Sequence, residues 1–231
     1  MPTLEVLSAG AVKPAMALLT PVFEQARRAK VAITFGPAPE LREITKDGTG
    51  LLGLVAGPKQ LVVDLVTEGK LDGASRQSLG GVKAAIALHK DAPVPDLSTP
   101  DAVRDAIQAA DRIVFNTASS GQYIADMIDR LGIGVEVADR IQRYPNAEEA
   151  MVFLASDAGR KAIGFGQSSA LRGYESLGVR QVAALPEAIG NVTEYEAALC
   201  KAAPDAVLAR DFLDFIISVE SRAVFLSTGV E

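Results

Sequence analysis

Four short stretches stand out for the chemistry they could do: Ser8-Ala9-Gly10-Ala11, Gly36-Pro37-Ala38-Pro39, Thr117-Ala118-Ser119-Ser120-Gly121 and Gln167-Ser168-Ser169. They consist of hydroxyls, one amide and residues with little side chain, so a group can approach the backbone closely. Each follows an apolar run and precedes a helical pattern. At such a junction the first N–H groups of the helix have no acceptor on the helix itself, and the positive end of its macrodipole points the same way. A set like this holds an oxyanion by neutral dipoles. None of the stretches contains a carboxylate pair or a basic cluster.

Other chemistries have little to stand on. Cys200 is the only cysteine and His89 the only histidine. That excludes an intrachain disulfide and a Cys-based metal site, and leaves a Ser-His-Asp triad or histidine metal centre almost without support. Both residues lie in apolar runs and read as buried structural groups. A net charge of −6 argues against a broad nucleic-acid or anionic-membrane face. With no tryptophan and 5% aromatic residues, base or sugar stacking is not the expected mode of recognition. No metal and no cofactor are expected. The first strand begins within a few residues of Met1, no leader-like segment precedes it, and no later run has the length of a membrane span. The chain as it stands is therefore expected in the cytoplasm, or in the periplasm if a leader has been removed.

The elements that must position the four turns follow from periodicity. Leu4 to Leu7 reads as a strand, and a helix opens at Pro14, where a missing N–H costs nothing. It runs from Val12 to Arg28 with Pro21 inside it, where a kink or a lost backbone bond is expected. Val31–Phe35 is a strand, with a helix starting at Glu40. A loop is expected over 46–50, a buried parallel strand over Leu51–Val55, a helix over Pro58–Glu68, and an irregular polar stretch over Gly73–Gly81. Val82–Leu88, Arg112–Phe115, Ala162–Gly166, Val179–Ala184 and Tyr195–Cys200 read as strands. Helices are expected over Thr99–Ala110, Gln122–Leu131, Asn146–Ala155, Pro204–Ile217 and from Ser218 to Leu226, and Val135–Val137 fits either state. The alternation predicts an α/β fold with a mostly parallel sheet and helices on both faces. All four turns then fall at carboxyl ends of strands, where ligands bind in such sheets.

At this level the chain resembles the periplasmic molybdate-binding proteins and their relatives among the type II solute-binding proteins. The resemblance is carried by Val6-Leu7-Ser8-Ala9-Gly10-Ala11-Val12-Lys13-Pro14-Ala15, Val31 to Pro37, Ser119-Ser120-Gly121-Gln122-Tyr123, Ala206 to Ser218 and Ser221 to Gly229. It implies two α/β lobes with a ligand cleft between them, lobe one being residues 1–83 plus 197–231 and lobe two residues 84–196. It also implies a small anionic ligand and, if the protein is exported, an ABC transporter permease as partner.

The departures from the family pattern shape the expected ligand. Where molybdate binders place serine hydroxyls in the first two turns, this chain has Ala11 and Ala38, and Gln167 stands at the position of a tyrosine hydroxyl. Losing such donors leaves anion oxygens unpaired, at about 1–3 kcal/mol each. The expected ligand is therefore a small organic carboxylate rather than molybdate. Its binding set is Ser8, Gly10, Ala11, Gly36, Ala38, Ser119, Ser120, Gly121 and Gln167, with Arg76, Arg112, Arg143 and Arg172 as candidates for a carboxylate partner. The alternative is an isomerase of an unsaturated tricarboxylate on the same scaffold, resembling aconitate isomerase. It needs a general base, for which the turns offer Glu40 and Tyr123. A cytoplasmic ligand sensor is a third possibility.

Overall fold

The structure is a computed structural model that describes residues 1–46 and 50–231, with the backbone but not the side chain of Ser119. The expected loop over 46–50 thus lies outside the described residues at 47–49. The chain forms two compact units, Met1–Val82 with Thr193–Glu231, and Lys83–Val192.

The first unit opens with β1 (Thr3–Ala9), a 3-10 turn at Gly10–Val12 and α1 (Lys13–Arg27). Ala15, Met16, Leu19 and Phe23 form the buried face of α1, the spacing an amphipathic helix requires. Pro21 does not end the helix. The carbonyl it leaves without its helical donor belongs to Ala17, an exposed residue. β2 (Lys30–Gly36), α2 (Ala38–Ile44), β3 (Leu54–Pro58) and α3 (Lys59–Thr67) follow. β3 begins later than its apolar run suggests. Its register is set by β1, with Val6 opposite Leu54 and Ser8 opposite Ala56.

The stretch expected to be irregular is a 3-10 turn at Gly73–Ser75 followed by β4 (Gln77–His89). Its glycines admit a close neighbour. The Gly81 N–H donates to the Glu231 carbonyl at 2.6 Å, and the Glu231 N–H returns a bond to Gly81 at 2.8 Å.

β4 carries the chain into the second unit, which continues with α4 (Pro100–Ala109), β5 (Arg112–Asn116), α5 (Ser119–Arg130) and α6 (Gly134–Val137). β6 (Ile141–Tyr144), α7 (Ala147–Ala155), β7 (Ala162–Gln167), α8 (Ser168–Arg172) and β8 (Val179–Ala184) complete it. Thr99 and Asn146 cap α4 and α7, accepting from the N–H groups of Ala102 at 3.1 Å and Glu149 at 2.9 Å. β6 carries no strong apolar signal and is absent from the sequence reading. The chain then returns through β9 (Val192–Leu199), α9 (Ala206–Ile216) and α10 (Val219–Ser227). Here Asp205 and Ser218 are the caps, accepting from Leu208 at 2.9 Å and Ser221 at 3.2 Å.

The expectation of a mostly parallel sheet needs correction: both units are mixed. In the first, β2, β1 and β3 run parallel and β9 runs against β3. In the second, β6, β5 and β7 run parallel, while β4 runs against β7 and β8 against β4. The antiparallel members include β4 and β9, the strands in which the chain leaves and re-enters the first unit. Such return strands need no crossover helix and so are free to run in the opposite sense.

One core fills the first unit, with Phe23 edge-on to Phe212 at 5.0 Å. The second unit has a core on each face of its sheet. Ile86, Leu88, Ile113 and Phe115 point to one, and Ala85, Ala87 and Val114 to the other, following strand alternation.

Candidate functional site

The turns that stand out in the sequence are shorter than they read. Ser8 and Ala9 still belong to β1, and Ser119, Ser120, Gly121, Ser168 and Ser169 already belong to first helical turns. The small residues are themselves the places where helix N–H groups emerge.

In the first unit, Ala9 lies opposite Gly36 on the parallel strand β2, so the turns after β1 and β2 start side by side. Ser8 is fully buried, and its hydroxyl donates to the Ala9 carbonyl at 3.4 Å. Gly10 faces open space, since a β-carbon there would meet nothing within 4 Å. Ala11 is buried and Ala38 half-buried at the start of α2. The Glu40 side chain folds back along Gly36, where a β-carbon would lie 2.9 Å from its Oε2. Lys13, the first residue of α1, holds its ammonium 5.6 Å from the centre of the Phe35 ring.

In the second unit the turn after β5 is fastened by one side chain. Asn116 Oδ1 accepts from the Ala118 N–H at 3.0 Å and the Gly121 N–H at 3.2 Å. The Ser120 hydroxyl lies 3.3 Å from both Oδ1 and Nδ2 of the same residue. A β-carbon at position 121 would sit 1.7 Å from the Asn116 carbonyl oxygen, so only glycine fits. The Gly121 N–H is occupied by this cap, which leaves Ser119 and Ser120 as the early N–H groups of α5 that Asn116 does not serve. The Ser119 side chain lies outside the described residues.

After β7, Gln167 is half-buried at the start of α8. Ser169, two residues on, is fully buried, with a hydroxyl that has no hydrogen-bond partner among the described residues. The first turns of α1, α5 and α8 carry no acidic residue, as is also true of α3 and α9, whereas α2 carries Glu40 and α4, α7 and α10 carry acids too. Helix starts without a carboxylate of their own keep their positive ends available to an external anion.

The arginine candidates separate. Arg76 is paired with Glu196 through two bonds of 2.8 and 3.0 Å. Arg112 begins β5, at the end away from the turn, and donates to the Asp111 carbonyl. Arg172 lies in the last turn of α8. Arg143 stands beside the turn after β5. It lies on β6 opposite Phe115, with its guanidinium carbon 5.5 Å from the ring centre, and Nη2 donates to Gln122 Oε1 at 3.3 Å.

The two candidate bases differ as well. The Tyr123 hydroxyl donates to the carbonyls of Ile189 and Gly190, both at 3.0 Å, and Arg130 stacks 5.1 Å from its ring centre. That arrangement ties the hydroxyl to main-chain carbonyls. Glu40 is exposed in the first turn of α2.

Lys13 and Asn116 lie in or beside the stretches read from the sequence, but sequence reasoning missed their roles, the cation against Phe35 and the side-chain cap. The signal for Lys13 was a cation at the opening of a helix, against the usual dipole preference. For Asn116 it was an amide just ahead of Ser-Ser-Gly, the spacing of a side-chain cap.

The chain matches the family model for bacterial extracellular solute-binding proteins over residues 4–231. It is 24% identical to an aconitate isomerase from a Pseudomonas species, over 236 aligned positions covering 99% of this chain and 87% of that protein. Among solved structures it superposes on the Azotobacter vinelandii periplasmic molybdate-binding protein with a TM-score of 0.80 at 15% identity, covering 99% and 98% of the two chains. It superposes on L-phospholactate-bound PEB3, a Campylobacter jejuni protein, with a TM-score of 0.72 at 15% identity, covering 98% of each. These likenesses to solved structures establish an α/β fold of the type II periplasmic-binding-protein kind. With the family model spanning nearly every residue, from the start of β1 to Glu231, the chain belongs to the bacterial extracellular solute-binding protein family.

Proposed function

We propose that this solute-binding protein takes a small organic carboxylate, using as recognition elements the turns after β1 and β2 in one unit and after β5 and β7 in the other. The observation that carries the reading is the chemistry of these turns. They end parallel strands, α1, α5 and α8 start without acids, and positions 11 and 38 offer no hydroxyl to a tetrahedral oxyanion. Ser8, Gly10, Ala11, Gly36, Ala38, Ser119, Ser120, Gly121 and Gln167 remain the proposed contact set. The structure of a PEB3 bound to L-phospholactate, itself an organic anion, supports the ligand class.

Titration calorimetry with citrate, cis-aconitate, trans-aconitate, sulfate and molybdate tests the reading. A carboxylate is expected to bind at micromolar level, with molybdate and sulfate about 100-fold weaker, the effect of roughly two missing hydrogen bonds. Molybdate binding tighter than every carboxylate sinks the proposal.

A second reading is favoured by one observation in the turns and one relative. Glu40 places a carboxylate against Gly36, and the aconitate isomerase shares 24% of aligned residues. As an isomerase, Glu40 would remove a proton from the methylene carbon of cis-aconitate. The double bond would then shift, and the proton would return to the former vinyl carbon. Proton NMR of the protein incubated with cis-aconitate reads the trans isomer directly, and Glu40→Gln would stop its formation. Binding without turnover leaves the transport reading alone. The readings also differ in place: a permease partner requires the protein outside the cytoplasmic membrane, an isomerase does not, and fractionation of native cells separates them.

A further inference from the structure

We propose that Arg143 is the residue of the second unit that recognises a carboxylate of the ligand. The inference rests on the carboxylate reading above. Arg143 is placed where a cation is least at home. Gln122, which it contacts, donates its N–H to Ala118 and so belongs to the first turn of α5, the positive end of that helix. Lone pairs that would ordinarily offset that potential are scarce. The first turn of α5 holds no acid, and Asn116 already serves Ala118 and Gly121. Arg143 forms no ion pair among the described residues; the nearest relay to a carboxylate runs through the Gln122 amide, whose Nε2 donates to Asp126 at 2.8 Å.

Other arginines of this chain show the contrast. Arg42 meets Asp64 and Glu68, Arg104 meets Asp101 and Asp105, and Arg76 meets Glu196. Arg140 is occupied by the carbonyls of Gln108 and Ala110.

Arg143 is nonetheless held in place. The guanidinium packs over the Phe115 ring, and one N–H is used on Gln122. The rest of the fork makes no ion pair among the described residues and stays exposed beside the turn after β5. A planar fork matches two coplanar carboxylate oxygens, and a lysine at the same place would offer only a point charge. The positive helix end and the unpaired cation reinforce each other, so the arrangement becomes favourable when an anion joins it.

Calorimetry on the full chain with citrate, trans-aconitate, inorganic phosphate and sulfate, for wild type, Arg143→Lys and Arg143→Gln, tests this. For the carboxylate that wild type binds, Arg143→Gln is expected to weaken affinity at least about tenfold, and Arg143→Lys to recover only a minor part of it. Phosphate and sulfate should change little, and melting temperatures should stay within about 2 °C, as for an exposed side chain. Gln122→Met, which removes the bond that aims the fork, should cost about threefold.

Carboxylate affinity of Arg143→Gln within twofold of wild type overturns the inference while leaving the carboxylate reading standing. So does a loss confined to phosphate and sulfate. A fall in melting temperature without loss of affinity also overturns it, and makes Arg143 a structural prop between β6 and α5. Wild type binding none of the carboxylates removes the underlying reading, and the inference with it.

Discussion

The two units build the same device, strand to small turn to helix, by different means. In the second unit the turn after β5 is tied down. Asn116 accepts two backbone N–H groups, and Gly121 packs against the Asn116 carbonyl with no room for a β-carbon. In the first unit no side chain caps the turns after β1 and β2, and Gly10 faces open space. A turn fixed by a side-chain cap and close packing keeps its donors aimed before any ligand arrives. A turn fixed only by backbone and small residues tolerates change, and Ala11 and Ala38 fall in that permissive unit. Ligand preference can drift there without disturbing the fold.

The comparison breaks most sharply at its glycines. Gly121→Ala is expected to destabilise the protein by about 3 kcal/mol or more, because the clash is with main chain and cannot be relieved by a rotamer. Gly10→Ala should lie within about 0.5 kcal/mol of wild type. Urea denaturation followed by circular dichroism measures both, and equal effects at the two sites would erase the contrast. Asn116→Ala comes next, at about 1–2 kcal/mol for two orphaned N–H groups, read in the same experiment.

Ala11→Ser probes the permissive turn. It should raise molybdate affinity about tenfold by calorimetry, one hydrogen bond's worth, with little change in stability. The smallest effect concerns pH. Burial pushes the Tyr174 phenol above its ordinary value of 10.0, with the charge of Glu148 adding to the shift. The folded state therefore keeps its proton where the unfolded chain has lost it. The contribution is present in full below about pH 10 and disappears as pH rises through the shifted value. Tyr174→Phe should flatten the decline of melting temperature above pH 10, and an unchanged decline would count against it.

Much of this was legible in the residues. Periodicity and caps at Thr99, Asn146 and Ser218 give helices close to their true bounds, because local hydrogen bonds decide them. Strands such as β8 stand out for the same local reason, a run of residues suited to a half-buried sheet. What escaped depends on distant partners. β6 is a strand because β5 pairs with it, and Gln77–Gly81 is one partly because Glu231 closes against Gly81. The antiparallel sense of β4 and β9 follows from how the chain passes between units, which no local pattern encodes. Among the turns, the small residues announced themselves and Arg143 stood among four arginine candidates, but nothing local singled it out from the other three or marked Lys13. Their places beside the Phe115 and Phe35 rings depend on contacts between elements.

The Asn116–Gly121 contact also says how these positions should vary across descendants of the gene. The obstacle at position 121 is a main-chain oxygen, present whatever side chain position 116 carries. Glycine there is fixed by geometry and should persist through any amount of divergence. Asn116 is fixed only by the need for an acceptor, so aspartate or serine should replace it from time to time. One half of the pair is a constant of the fold and the other a choice among equivalents, and an ancestral reconstruction that alters Gly121 is one to distrust.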